Sequence, residues 1–123
     1  MKNTKMMTLV AFAAVMMSST AAFAQWTVLA YSAQTGKWGR AQCANTYEGA
    51  LDTALRACGD ASCVRVAYAR NGYVALATGQ GGWGTGNLHG TQQDAERSSL
   101  ARCSAKYANC AIKATGSSYN CAE

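Results

Sequence analysis

The stretch "TGKWGR" (residues 35–40) is echoed by "GQGGWGTG" (residues 79–86), and Trp38-Gly39 recurs as Trp83-Gly84 forty-five positions later. The same offset brings residues into register along the whole of each unit. These matches include Ala30 with Ala75, Gly36 with Gly81, Thr46 with Thr91, Ala50 with Ala95, Leu55 with Leu100 and Cys58 with Cys103. Matches that persist in register indicate a duplicated unit rather than a stray dipeptide.

Each copy has the pattern of two strands, a helix and a third strand. The strands are rich in β-branched and aromatic residues, and the helices show apolar residues at helical spacing. Asn45 in "NTYE" and Thr91 in "TQQD" stand three positions before an acid, as helix N-caps do, and Gly59 is a predicted helix stop. The predicted strands are 26–33, 38–44 and 63–70 in the first copy and 73–79, 83–90 and 110–116 in the second.

These elements predict an α+β fold, a duplicated ββαβ-ββαβ module whose mostly antiparallel sheet has two helices on one face. Asn71-Gly72 indicates a hairpin that links the third strand of copy one to the first strand of copy two. The third strands leave a question open. Aligned on the cysteines, Arg65 matches Ile112 and Val66 matches Lys113, so either the strand register differs between copies or one of these strands lies at an edge.

The first 24 residues have the three zones of a signal peptide. Lys2 and Lys5 precede an apolar run, Met6–Met17, which is shorter than the roughly 20 residues that span a bilayer. The run is followed by small residues that end in Ala22-Phe23-Ala24, a cleavage pattern. We therefore expect a secreted or periplasmic protein with no transmembrane segment.

Residues 25–123 are expected to form a single domain of two repeats, 26–69 and 70–117, with a C-terminal tail. All six cysteines lie in this part, and an even number in a small exported domain predicts disulfides. The spacings do not fit a zinc site, so no metal is expected. The expected pairs are Cys58–Cys63 and Cys103–Cys110, each at a helix-to-strand corner, and Cys43–Cys121 by elimination.

The charge pattern does not favour a nucleic-acid partner. The formal net charge is +5, and the basic residues are scattered rather than clustered on one stripe. "GQGGWG" (79–84) matches G-x-G-x-x-G by count, but a strand-like segment follows it where a dinucleotide site needs a helix. We interpret this string as a hairpin turn and expect no cofactor.

The sequence contains no recognisable catalytic arrangement. His89 is the one histidine, and Ser98 and Asp94 are its candidate partners for a hydrolase. No nucleophile motif accompanies them, and the acidic residues in the first helical turns are explained by the helix dipole. The protein is therefore expected not to be an enzyme.

Aromatic residues supply the best candidate for a contact surface. Trp38 and Trp83 begin equivalent strands just after exposed turns, and Arg40 lies on the same strand face as Trp38. Tryptophan and arginine often dominate the energy of protein contacts. Trp38, Arg40 and Trp83 are the predicted contact residues, although packing of each tryptophan against its own hairpin is an alternative.

The chain resembles the bacterial family called domain of unknown function 4189 (DUF4189). The resemblance rests on "AYSAQTGKWG", "ALRACG", "CVRVAYARNGYVALATG", and the second "WG" and "ARC", and it covers about Trp26 to Cys121. It implies a small exported, cysteine-bearing protein, and it assigns no catalytic residue. One departure is Tyr73, where family members often have a further cysteine.

We expect an exported, non-catalytic module that binds another protein, as an inhibitor, an immunity-type protector or a surface-interaction factor. Two alternatives remain open. One is a small secreted effector that acts on another cell, and the other is a cell-wall hydrolase that uses His89 and a carboxylate.

Overall fold

The computed structural model describes residues 24–119 and 121. The predicted signal sequence and its cleavage zone fall almost entirely outside this range. The elements are β1 (Trp26–Tyr31), β2 (Trp38–Ala44), α1 (Tyr47–Cys58), β3 (Val64–Arg70), β4 (Tyr73–Gln80), β5 (Gly82–His89), α2 (Gln92–Ser104) and β6 (Ala108–Ser117). The order is ββαβ followed by ββαβ, which confirms the predicted α+β class.

The strands form two three-stranded antiparallel sheets rather than one. The first has the order β2-β1-β3 and the second has the order β5-β4-β6. In both sheets the first strand of the unit is central, with the second and third strands at its two edges. The two units therefore have the same internal topology.

The chain passes from one sheet to the other at Asn71-Gly72. Asn71 still pairs with the first sheet, because its backbone N–H donates to the Gln25 carbonyl at 2.8 Å. Gly72 already pairs with the tail, since its carbonyl accepts from the Ser118 N–H at 2.8 Å and its N–H donates to Ser118 Oγ. Asn71-Gly72 is thus a crossover between sheets, and the predicted hairpin between paired strands is wrong.

Side chains of the central strands point alternately to the two faces of their sheet, and this arrangement gives four layers: a helix, two sheets and a second helix. In β1, Val28 and Ala30 pack against α1, whereas Leu29 and Tyr31 join a core that includes Leu76 of β4. The two sheets therefore face each other across an inner core, and each helix covers the outer face of its own sheet. The sequence predicted one sheet with both helices on one face. The structure instead has two sheets, and each carries one helix on its outer face.

The Trp-Gly dipeptides mark the closest approach of helix and strand. A Cβ atom on Gly39 would lie 2.3 Å from the Ala54 carbonyl oxygen, and one on Gly84 would lie 2.8 Å from the Ser99 carbonyl oxygen. Ala54 and Ser99 are themselves forty-five positions apart. Glycine is required at both sites because the helix backbone occupies the space of a side chain. The preceding tryptophan consequently points toward the opposite face of the strand.

The helix ends follow the predicted chemistry with one correction. Thr91 caps α2, its side chain accepting from the Asp94 N–H, and Gly59 ends α1 in the left-handed conformation with φ of 77°. Helix α1 is capped by Thr46 and not by the predicted Asn45. The reason is that Thr46 Oγ1 accepts from the Gly49 N–H at 3.0 Å, three residues further on.

The third strands have the same pairing at the positions that disagree, so the unlike side chains come from their place at sheet edges and not from a difference in register. In β3 the pairing skips Val66 between Ala67 and Arg65, and in β6 it skips Lys113 between Ala114 and Ile112. A bulged residue is left out of the ladder and shifts the alternation beyond it by one. Both third strands are also edge strands, so side chains of unlike polarity are tolerated there.

Three disulfides are present, and their pairs are those expected from the sequence: Cys58–Cys63, Cys103–Cys110 and Cys43–Cys121. The first two join the end of a helix to the start of the next strand. The third joins β2 to the tail across a sequence separation of 78. Such a framework fits an extracellular or periplasmic protein. Neither helix of the described chain combines the length and the apolar character that a membrane crossing needs.

Candidate functional site

Trp38 and Arg40 form a paired surface on edge strand β2. The guanidinium carbon of Arg40 lies 5.7 Å from the centroid of the Trp38 ring, which is within the range of a cation–π contact. Arg40 Nη1 also donates to the Thr115 carbonyl of β6 at 3.0 Å, so the opposite sheet holds the side chain in place. Trp38 is 36% exposed, and Arg40 is exposed as well.

A second polar link keeps the edge of β2 beside β6. Gln42 Oε1 accepts a hydrogen bond from the Ser117 N–H at 3.0 Å. At the other edge of the stack, Asn87 Oδ1 of β5 accepts from the Tyr68 N–H of β3 at 2.9 Å. The second strand of each unit, β2 or β5, is therefore joined through a side-chain amide to the third strand of the other unit.

Trp83 does not join the Trp38–Arg40 pair. Its strand, β5, is the edge strand that lies beside β3, whereas β2 lies beside β6, so the two tryptophans are at opposite edges of the stacked sheets. The Trp83 ring makes an edge-to-face contact with Tyr31, with the ring centroids 6.0 Å apart. The predicted contact residues thus fall into two separate places.

Trp83 lines a cavity of about 330 Å³ at the turn end of the sheets. Tyr31 and Tyr107 supply two further aromatic walls, and the β4–β5 turn supplies a glycine-rich rim. The lining residues are Tyr31, Ala33, Gly79, Gly81, Gly82, Trp83 and Tyr107. All of them are uncharged, and the volume lies in the size range of small-molecule pockets, which begins at about 300 Å³.

The sequence analysis missed the roles of Tyr31 and Tyr107. A signal was nevertheless available, because Tyr107 stands in the segment where the second copy is two residues longer than the first. Gly82 occupies the place that Lys37 holds in the first copy, directly before the tryptophan. The Tyr107 ring lies so close to Gly82 that a Cβ atom there would be 2.1 Å from Tyr107 Cζ. The extra segment and the missing side chain fit one another.

A third aromatic cluster surrounds the start of α1. Trp26, Tyr47 and Tyr68 contact one another, with ring centroids 5.4 to 6.5 Å apart. Arg65 lies over the Tyr68 ring at 4.6 Å and donates to the Tyr47 hydroxyl at 2.8 Å. The three rings border the core beneath α1, so this cluster closes the outer end of that core.

His89 is not assembled with the partners considered for a hydrolase. It ends β5 opposite Tyr73. Asp94 instead pairs with Arg97 at 3.0 Å on the exposed side of α2. Among the residues that the structure describes, His89 makes no hydrogen bond to Asp94 or to Ser98. "GQGGWG" is the β4–β5 turn, with Gly81 at φ of 88°, as predicted for a hairpin.

The surroundings of Asp60 change the acidity of its carboxyl group. The Ser62 hydroxyl and the Ser62 backbone N–H both donate to it and lower its pKa, and the positive charge of Lys37 acts in the same direction. This arrangement orders the turn between α1 and β3. Within residues 24–119 and 121, no three His, Cys, Asp or Glu side chains converge as a metal site.

A comparison with models of protein families shows which family this chain belongs to. The model of a family described as "Domain of unknown function (DUF4189)" matches residues 26–116, which include every strand and both helices except the final residue of β6. The chain belongs to the DUF4189 family. Neither a curated protein nor a solved structure matches it. The DUF4189 unit therefore corresponds to the two stacked ββαβ units described above.

Proposed function

We propose that this DUF4189 protein is an exported, non-catalytic module that binds another protein through Trp38 and Arg40. The observation that carries the proposal is the fixed Trp38–Arg40 pair on edge strand β2. A side chain that is already held in one conformation loses less entropy on binding than a free one. An exposed arginine rarely has this advantage, and here the hydrogen bond to the Thr115 carbonyl supplies it.

The surroundings of the pair support a protein partner. Trp38 offers an aromatic face that is partly exposed, and Arg40 adds hydrogen-bond donors beside it. Tryptophan and arginine are the residue types most often found at the energetic centre of protein interfaces. The supporting frame is rigid, because disulfide Cys43–Cys121 and the Gln42–Ser117 hydrogen bond both hold β2.

The proposal that no chemistry is involved rests on the placement of His89. A general base needs a partner within hydrogen-bond reach or a substrate cleft beside it. The carboxylate of Asp94 is engaged by Arg97, and Ser98 lies on α2 without a hydrogen bond to the histidine ring. Inhibitor, immunity-type protector and surface-interaction factor are the roles that such a module would suit.

We further propose that export removes residues 1–24. The secreted protein would then begin at Gln25, whose backbone N–H donates to Asn71 Oδ1 at 3.0 Å. Intact mass spectrometry of the exported protein tests this. We expect a chain that starts at Gln25 and weighs six hydrogens less than its reduced form, because three disulfides are present. A longer chain that retains Met1, or free thiols, would contradict the proposal.

Affinity capture with a matched control tests the binding surface. The wild type, the Trp38→Ala/Arg40→Ala variant and a Trp83→Ala/Arg102→Ala control are immobilised and exposed to periplasmic extract and culture medium. The control removes the same two types of side chain from the second unit. Truncating two energetically central residues, each contributing about 2 kcal/mol, removes about 4 kcal/mol when the effects add, which weakens binding by nearly a thousandfold.

We expect the wild type and the control to capture the same protein and the Trp38→Ala/Arg40→Ala variant to lose it. Circular dichroism must show that both variants keep the fold, because Arg40 also binds the Thr115 carbonyl. Equal capture by both variants would reject the surface. If His89→Ala abolished a measured turnover while the double variant kept its partner, the hydrolase alternative would replace the binding module.

A further inference from the structure

We propose that the cavity beside Trp83 binds one pyranose ring of a neutral saccharide. Neither Trp38 nor Arg40 lines this cavity, although its wall residue Tyr31 pairs with Trp38 between β1 and β2. Its volume of about 330 Å³ is sufficient for a small ligand and not for a folded partner.

The walls of the cavity match the two faces of a sugar ring. A pyranose presents an apolar C–H face and a rim of hydroxyl groups. Trp83 is 37% exposed, so part of its ring is open to a ligand. Tyr31 is only 8% exposed and supports the Trp83 ring edge-to-face at 73°, and the half-buried Tyr107 forms a further wall. Tyrosine and tryptophan each combine an apolar face with a hydrogen-bonding group.

The β4–β5 turn provides polar groups for the hydroxyl rim. Gly79, Gly81 and Gly82 line the cavity. Gly79 and Gly82 pair with each other, and Cys110 and Tyr107 fill the space beside them, so Gly81 at the turn is the glycine whose backbone is open to a close approach. Gly81 has φ of 88°, a conformation that a residue with a side chain rarely adopts. The rim is thus built from backbone atoms in fixed positions, which favours hydrogen bonding to hydroxyl groups.

The differences between the two units converge on this cavity. Gly82 replaces the lysine found at position 37, and Tyr107 lies in the segment that has two extra residues. The two changes are in direct contact, since the Tyr107 ring fills the space beside Gly82. Departures from an otherwise consistent plan are expected at functional or strained sites.

The charges around the cavity favour a neutral ligand. None of the lining side chains is charged, so an anion has no ionic partner there. An ammonium group could be held by aromatic rings alone, but Lys106 directly precedes Tyr107 and no lining carboxylate offsets it. A polyhydroxylated ring needs neither charge.

Nuclear magnetic resonance titration tests the proposal on the whole folded protein. The three tryptophans give three indole N–H signals, and the spectrum of Trp83→Ala identifies the signal of Trp83. The probes are cellotriose, maltotriose and tri-N-acetylchitotriose, each at up to about 10 mM, and tetramethylammonium as the cationic alternative. We expect at least one saccharide to shift the Trp83 signal with a Kd of about 1 mM, as is typical of a single small contact area.

Matched variants locate the binding. Binding to the variants is followed through the backbone amide signals of residues 79–82, because Trp83→Ala no longer has the indole signal. Trp83→Ala and Gly82→Ala should each weaken binding by about tenfold or more, the first by removing an aromatic wall and the second by displacing Tyr107. Tyr119→Ala, which removes an exposed aromatic side chain beside Tyr73 at the other end of β4, should leave the affinity unchanged. The proposal is overturned if no saccharide shifts the Trp83 signal, if Tyr119→Ala weakens binding as much as Trp83→Ala, or if tetramethylammonium alone binds.

Discussion

Adding a single methyl group at Gly39 or Gly84 tests whether the Trp-Gly dipeptides exist to admit a helix. In Gly39→Ala the new Cβ would lie 2.3 Å from both the Ala54 carbonyl oxygen and the Cys58 nitrogen. In Gly84→Ala it would lie 2.5 Å from the Cys103 nitrogen. Carbon atoms in contact prefer separations of about 3.5 to 4.0 Å, so the helix must move by about 1 Å or more.

The cost can be estimated from the nature of the obstacle. Overpacking a core typically costs about 1–3 kcal/mol, and the upper half of this range applies because the obstacle is helix backbone rather than a flexible side chain. For a domain of this size, each kcal/mol lowers the melting temperature by roughly 4–8 °C. Both Gly39→Ala and Gly84→Ala should therefore lower it by roughly 8–24 °C.

Gly90→Ala is the matched control, because nothing lies within 4 Å of the position of its Cβ and its φ is not in the left-handed region. Thermal unfolding is followed by circular dichroism with the disulfides intact. We expect the control to change stability by less than about 1 kcal/mol. If Gly39→Ala and Gly84→Ala melted like the control, the close approach of helix and strand would be refuted. A loss in one variant alone would refute the equivalence of the two units.

Three further predictions concern local features. The first is that Cys43–Cys121 should be reduced before the other two disulfides, because Cys43 is exposed. Mild reduction followed by alkylation and mass mapping measures the order, and earlier reduction of Cys58–Cys63 or Cys103–Cys110 would contradict it. Thr91→Ala should lower the free energy of unfolding by about 1 kcal/mol in thermal melts, since the cap of α2 is lost; an unchanged melt would count against the cap. Ser62→Ala should raise the pKa of Asp60 in a carboxylate titration by NMR, because the hydroxyl donor is lost while the backbone N–H donor stays. The stabilisation that the lowered pKa gives at neutral pH is lost as pH falls through the pKa of Asp60. A titration unaffected by the substitution would exclude the hydroxyl as a cause.

Local patterns predicted the elements well, because the residues that decide them are close in sequence. Gly59 ends α1 as expected, since a left-handed residue is required there and glycine adopts it without strain. The prediction of Asn45 as the N-cap of α1, where the structure has Thr46, was wrong for a physical reason. Both residues have capping side chains, and the sequence does not show which one reaches the free N–H groups.

The number of sheets could not be predicted from the same patterns. Asn71-Gly72 suits a tight turn, but a tight turn does not require the two flanking strands to pair. The competing partners are distant in sequence, since Asn71 bonds to Gln25 and Gly72 bonds to Ser118. Sequence distance also explains why only part of the candidate site, the Trp38–Arg40 pair, was predicted and the cavity was not. Trp38 and Arg40 are two residues apart on one strand face, whereas the walls of the cavity come from three separated segments of the chain.

In-cell photo-crosslinking tests the proposed binding surface most directly. A photoactivatable amino acid is placed at exposed position 37, next to Trp38, and, as a control, at position 97 on the exposed side of α2, and the exporting cells are irradiated. We predict one defined crosslinked protein from position 37, absent from position 97 and lost when Trp38→Ala and Arg40→Ala are added. Identical products from both positions, or a product from position 37 that these two substitutions leave unchanged, would contradict binding through Trp38 and Arg40.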